Sequence, residues 1–226
     1  DDARKAGDTV HAIIRNVAGS SEYKSKSMVT PTEDALRFAI EEGMRNVSVK
    51  PEEIGVVDTH GSANRLSDIA EAGAIAGVLR PEEGKAPPVR ITAVKSHVGH
   101  SYGGSGTAGM LSVIGALNNR AVPGIRNLKN VRPEIEPILH KASPQMGSEV
   151  LEKEFVHGGV TSLGLGGANY FAVVSAGDEG LKNAEEGRNL DIPEPDTEKP
   201  ASIPSGAAPA AAVAGAVGSG IPEGIF

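Results

Sequence analysis

Ile54 to Thr59 (IGVVDT) is a short, almost unbroken apolar run that gives way to a polar loop at His60. A run of that length and composition is a strand buried on both faces, and such a strand requires a sheet with helices over each side. Val89 to Lys95 (VRITAVK) repeats the pattern and opens into the polar, glycine-rich loop 96–106. Val156 to Gly167 and Asn169 to Val174 read as two strands joined by the turn Gly164-Leu165-Gly166-Gly167, a usual length for a hairpin. A further strand is expected at Val10 to Val17, closed by Gly19-Ser20-Ser21.

Helices separate these strands. Thr30-Pro31-Thr32-Glu33 combines a Thr cap, a Pro at the first helical position and a capping-box Glu ahead of Leu36, Phe38, Ile40 and Met44, predicting a helix over 31–46. Others are expected over 67–79 and 104–119, the last rich in small residues and therefore central in the body. The fold class is α/β, a mixed sheet covered by helices. From Asp178 the chain turns acidic and then Pro-, Ala- and Gly-dominated, so the body is expected at 1–177 and a disordered linker or tail at 178–226.

Composition removes several function classes. The formal charge is −7 with no run of Lys and Arg, against a nucleic-acid backbone binder. There is no Cys, so this polypeptide holds no disulfide, thiolate metal site or cysteine nucleophile of its own. No apolar stretch reaches membrane-spanning length, and the charged start (Asp1, Asp2, Arg4, Lys5) is not followed by a signal-peptide core. A cytoplasmic chain is the expectation, with organelle targeting open if residues precede Asp1.

Three loops follow buried strands: Asp58 to Asp68, Val94 to Gly104, and Thr161 to Asn169. If the strands are parallel or hairpin neighbours, His60, Lys95, His100 and the glycine turn converge on one sheet edge, where α/β proteins carry their sites. Two other readings use the same residues. His97-x-x-His100 with His60 and Asp58 or Asp68 could form the ligand set of a metal-dependent hydrolase, although the pair lies in a loop. Gly104-Ser105-Gly106-Thr107-Ala108-Gly109 spells a dinucleotide-binding G-x-G-x-x-G, but it starts too far from the strand. It also lacks an acidic residue about twenty positions on, so close helix packing is the better explanation. His11, His140 and His157 read as ordinary polar residues.

From about residue 3 to 175 the chain resembles the β-ketoacyl synthases of the thiolase-like superfamily. Their C-terminal half carries, in order, H-G-T-x-T-x-x-x-D, K-S-x-x-G-H and N-S-F-G-F-G-G-x-N, which His60 to Asp68, Lys95 to His100 and Thr161 to Asn169 match. The resemblance implies the C-terminal half of a layered αβαβα fold and a role in decarboxylative condensation of an acyl thioester with malonyl-acyl carrier protein. It implies His60 and His100 as the catalytic histidines and Lys95 as the lysine that sets the local field. It places Ser62 and Asn64 against the phosphopantetheine arm, with Leu165 and Gly166 at the acyl entrance. Asp68, Glu71, Gly164 and Gly167 would be structural supports.

The implied partners are an N-terminal ketosynthase half that brings the cysteine, an acyl carrier protein and a second ketosynthase copy. No cofactor is implied for the chain itself, since phosphopantetheine arrives on the carrier. Leu163 and Leu165 replace the phenylalanines of the family's glycine turn, so chain-length selectivity does not transfer. Ser101-Tyr102 stands where many modular polyketide members have Thr-Glu. A non-catalytic architectural partner of an active ketosynthase is the competing reading; such partners commonly lose one histidine, and both are present here.

Overall fold

The computed structural model describes residues 2–22 and 30–188. The chain opens with helix α1 (Asp2–Ala6), strand β1 (Ala12–Ser21), helix α2 (Glu33–Met44), strand β2 (Ile54–Asp58) and helix α3 (Arg65–Leu79). Strand β3 (Val89–Thr92), the single-turn helix α4 (Lys95–Val98), helix α5 (Ser105–Asn119) and the short strands β4 (Ala121–Val122), β5 (Ala142–Pro144) and β6 (Glu149–Val150) follow. Strands β7 (His157–Leu163) and β8 (Ala168–Ala176) and helix α6 (Asp178–Glu186) complete it.

Six strands form one mixed sheet in the order β1-β8-β7-β2-β3-β5, and β4 pairs with β6 apart from it. Strands β7, β2, β3 and β5 are mutually parallel, while β8 runs antiparallel to β7 and β1. The C-terminal ends of β2, β3 and β7 therefore share one edge, and the loops after Asp58, Thr92 and Leu163 leave from it.

Successive side chains of a strand point to opposite faces, and here both faces are apolar. Val57, Phe171 and Val173 pack on one side with Leu36 and Ile40 of α2 and Ala72, Ile75 and Leu79 of α3. Their neighbours Val56, Ala172 and Val174 pack on the other with Val113, Ala116 and Leu117 of α5. Glycines set how closely these layers approach: a Cβ on Gly159 would meet the Phe171 ring at 2.5 Å, and one on Gly109 would meet Asp58 Oδ1 at 2.9 Å. The literal G-x-G-x-x-G is thus used for helix-on-sheet packing.

Several boundaries differ from expectation for local reasons. Strand β1 runs through Gly19-Ser20-Ser21 because these residues pair with Tyr170, Asn169 and Ala168, and Ser20 Oγ donates to the Ala35 carbonyl at 2.6 Å. The cap of α2 is Thr32 rather than Thr30: its Oγ1 accepts from the Ala35 N–H at 3.3 Å, leaving Pro31 just outside the helix. Helix α3 begins at Arg65, since Asn64 Oδ1 accepts from the N–H groups of Leu66 at 3.1 Å and Ser67 at 3.3 Å.

Strand β3 stops at Thr92, short of the expected Lys95. The first part of the anticipated linker is instead helix α6, with Ala184 buried and Asn183 Nδ2 donating to the Asn118 carbonyl at 2.8 Å. The rest of that expectation lies outside the described residues. No described helix is long and apolar enough to cross a membrane.

Candidate active site

The loop after β2 is held from below. Glu71, one turn into α3 from Ser67 and fully buried, accepts the N–H of His60 at 2.8 Å and of Gly61 at 3.1 Å, and takes a short hydrogen bond from Thr161 Oγ1. Thr161 Oγ1 in turn accepts the His60 N–H at 3.1 Å. Gly61 has φ +47° and Ala63 φ +60°, so the loop turns sharply between strand end and helix cap. Asp68 is buried with its carboxylate 3.6 Å from Arg132 Nε, and Arg132 also donates to the Ala63 carbonyl at 3.5 Å. Glu71 thus holds the loop directly, and Asp68 faces the arginine that reaches it.

The His60 ring is fixed as well. The N–H of Leu163 donates to its Nδ1 at 3.3 Å, which leaves the proton on Nε2. Burial first, and then the electrostatic influence of Lys95 and of the His100 ring, push the imidazole down to about 4. His60 is therefore neutral near pH 7 and offers one N–H donor.

The loop after β3 is turned by Asp58. Its Oδ2 accepts the Val94 N–H at 3.0 Å, ending the strand and starting α4, whose first residue is Lys95. Burial raises the Asp58 carboxyl to about 6, against the lowering effects of the Ser112 hydroxyl, the Val94 N–H and Lys95. Burial likewise lowers Lys95, opposed by Asp58 and Glu71, while burial raises Glu71. Gly99, with φ +78°, reverses the chain after α4 and delivers His100.

The rings of His60 and His100 lie 5.6 Å apart, centroid to centroid, at 88°. Two residues from separate loops thus meet edge to face over one cleft of about 540 Å³, lined also by Lys95, Ser62, Asn64 and Leu165. A neighbouring cleft of about 580 Å³ shares His100, Tyr102 and Leu163 to Leu165, and is otherwise mainly apolar, with Val17, Met110, Val160 and Ala172.

The remaining expectations divide. Asn64 lines the cleft, but its Oδ1 is committed to the α3 cap, leaving Nδ2 for any ligand. Leu165 is 80% exposed between the clefts, whereas Gly166 faces open space and lies outside both linings. Gly164 donates to the Ala168 carbonyl at 2.7 Å, and Gly167 takes φ +81° beside Glu22. His97 donates its Nε2–H to the Gly124 carbonyl at 2.7 Å and, away from His60 and His100, lines neither cleft. Among the described residues no group of three or more His, Asp or Glu is placed to hold an ion. His157 hydrogen-bonds Ser175 Oγ, and His140 lies 3.7 Å from Glu83, both away from the clefts.

Sequence reasoning offered Asp58 only as an alternative metal ligand and missed Thr161 as a part of the site. A charged residue ending an otherwise apolar buried strand was the available signal for Asp58. Thr161 carried none.

The fold and its cleft are those of an α/β protein with a site at the C-terminal edge of its parallel strands, and comparison with known proteins gives the family. Residues 11–129 match the β-ketoacyl synthase C-terminal domain, and the chain belongs to that family. It is 30% identical over 183 residues to the highly reducing polyketide synthase tstA of Talaromyces stipitatus, covering 80% of this chain and 7% of that protein. It is 31% identical over 186 residues to a polyunsaturated fatty acid synthase from a Thraustochytrium species, covering 76% of this chain and 6% of the other. The ketosynthase from module 1 of the bacillaene synthase of Bacillus amyloliquefaciens superposes with a TM-score of 0.71 at 24% identity, over 77% of this chain and 33% of that one. The ketosynthase from module 6 of the Bacillus subtilis synthase gives 0.72 at 21%, over 77% and 32%. The fold is thus the ketosynthase, thiolase-like one, and the chain spans under a tenth of those curated relatives and about a third of the solved ketosynthase chains.

Proposed function

We propose that this chain supplies the histidine half of a β-ketoacyl synthase, acting on a malonyl thioester presented by an acyl carrier protein. The observation that carries the reading is the meeting of His60 and His100 from separate loops at 5.6 Å over a cleft that also holds Lys95. In this reading the thioester carbonyl oxygen lies between the Nε2–H of His60 and a ring N–H of His100. The bond from the malonyl α-carbon to its carboxylate breaks, carbon dioxide leaves, and the electron pair moves to that oxygen as an enolate. Donors fixed beforehand stabilise this charge without reorganisation, an effect of about 3–4 kcal/mol per donor.

The enolate carbon then attacks an acyl thioester, forming the new carbon–carbon bond as a thiolate departs. The 226 residues contain no cysteine, so that thiolate belongs to a segment outside them, the N-terminal ketosynthase half. Lys95, beside Asp58 and Glu71, keeps positive charge near the developing oxyanion and favours neutral His60. Ser62 and the Asn64 amide line the side of the cleft from which a phosphopantetheine arm would enter. Pairing of ketosynthase copies belongs to the same reading.

The test is acyl transfer. The isolated chain is expected to take up no acyl group from a labelled acyl thioester, while its assembly with the cysteine-bearing half becomes labelled and condenses malonyl thioester. Labelling and turnover by the chain alone would refute the split site.

A further inference from the structure

We propose that Tyr102 is a positioning residue for His100, holding the imidazole plane by stacking; the proposal rests on the reading of His100 as an oxyanion donor. The two histidines are supported differently. The backbone N–H of His60 is held by the Glu71 and Thr161 side chains, and its ring by the Leu163 N–H on Nδ1. His100 is exposed and follows Gly99. The ring contacts of His100 among the described residues are the edge-to-face one with His60 and a stacked one with Tyr102, at 5.3 Å and 16°.

Three features separate Tyr102 from a surface side chain placed by chance. The residue is 83% exposed, so core packing does not account for its placement against His100. Its backbone sits at φ +48°, a conformation unfavourable for a bulky residue, although Gly103 and Gly104 follow and could adopt it freely. It lines both clefts together with His100, so the stacked pair and Leu163 to Leu165 form the wall the clefts share.

An offset aromatic stack adds enough to bias a ring orientation about two- to tenfold. Loss of the stack lets the imidazole rotate away from the oxygen it must meet. The loss acts through the orientation of His100 and is therefore expected to fall mainly on the chemical step.

The experiment pairs spectroscopy of the 226-residue chain with kinetics of the ketosynthase assembled from it, for Tyr102→Ala and Tyr102→Phe. In the chain, the His100 ring protons are expected to lose their aromatic ring-current shift in Y102A and to keep it in Y102F. In the assembly, kcat for malonyl-thioester decarboxylation is expected to fall about two- to tenfold in Y102A, by more than any change in KM, and to recover in Y102F. A His100 resonance indifferent to Y102A overturns the positioning role, and so does a shifted resonance with unaltered kcat. If His100→Ala itself leaves decarboxylation intact, the donor reading falls instead, a result independent of the ring-current measurement.

Discussion

The N–H of Leu163, the last residue of β7, donates to Nδ1 of His60 at 3.3 Å, so a strand on one side of the cleft sets the tautomer of a histidine carried by another. Near pH 7 that ring is neutral with its proton on Nε2, because burial, Lys95 and His100 hold it down to about 4. A nitrogen-15 NMR titration is expected to show His60 as the Nε2–H tautomer, with no protonation until well below about pH 5. A midpoint near the ordinary value of about 6.5 would contradict the buried, cation-flanked placement.

Two buried groups make stability respond to acid in opposite senses. Between about 4 and 6.5 the unfolded His60 holds a proton that the native one lacks, so the native state loses stability as pH falls through that window. Asp58, raised from 3.8 to about 6, keeps a proton in the native state that the unfolded chain has lost, so it gains stability as pH falls from about 6. Lys95 and Glu71 face Asp58, and Glu71 is raised in the same sense. Urea midpoints followed from neutral pH to about pH 4.5 should therefore slope more favourably with acid in His60→Gln than in wild type, and less favourably in Asp58→Asn.

Glu71 holds the first histidine loop through the N–H groups of His60 and Gly61 and through Thr161. Glu71→Ala leaves buried donors without an acceptor and is expected to cost about 2–4 kcal/mol in denaturant unfolding. Glu71→Gln, which keeps an acceptor oxygen, should cost less. Equal losses for the two variants would show that packing, not hydrogen bonding, is what Glu71 contributes.

Gly109 lets α5 lie against Asp58 and Val160, where a Cβ would sit 2.9 Å and 3.1 Å from them. Gly109→Ala should destabilise by about 1–3 kcal/mol, since the contacts are with a buried carboxylate and a strand side chain that have little room to move. A neutral or stabilising effect, measured by urea unfolding, would mean that α5 shifts without cost.

The periodicity of buried strands and the loops after them were enough to bring His60, Lys95 and His100 to one sheet edge, and the structure gathers the three around one cleft. What could not be read was long-range pairing. Gly19-Ser20-Ser21 has turn chemistry, yet the ladder with Tyr170 to Ala168 makes it strand. Asn64 reads as a ligand contact, but its carbonyl oxygen caps α3. Helix α6 was hidden by an acidic, low-hydrophobicity composition. Its place depends on Gly180 and Ala184 meeting α5, and on Arg4 pairing with Asp178 at 2.6 Å. The stack of Tyr102 on His100 depends on a left-handed turn that local propensity disfavours.

The most direct test of the account is the decarboxylation rate of malonyl thioester by the assembled ketosynthase carrying His60→Ala or His100→Ala. If each imidazole donates to the oxygen on which charge builds up, each variant should be slower by about 10²–10³ in kcat. Rates within a factor of about two of wild type, below the smallest loss assigned to a fixed donor, would contradict it.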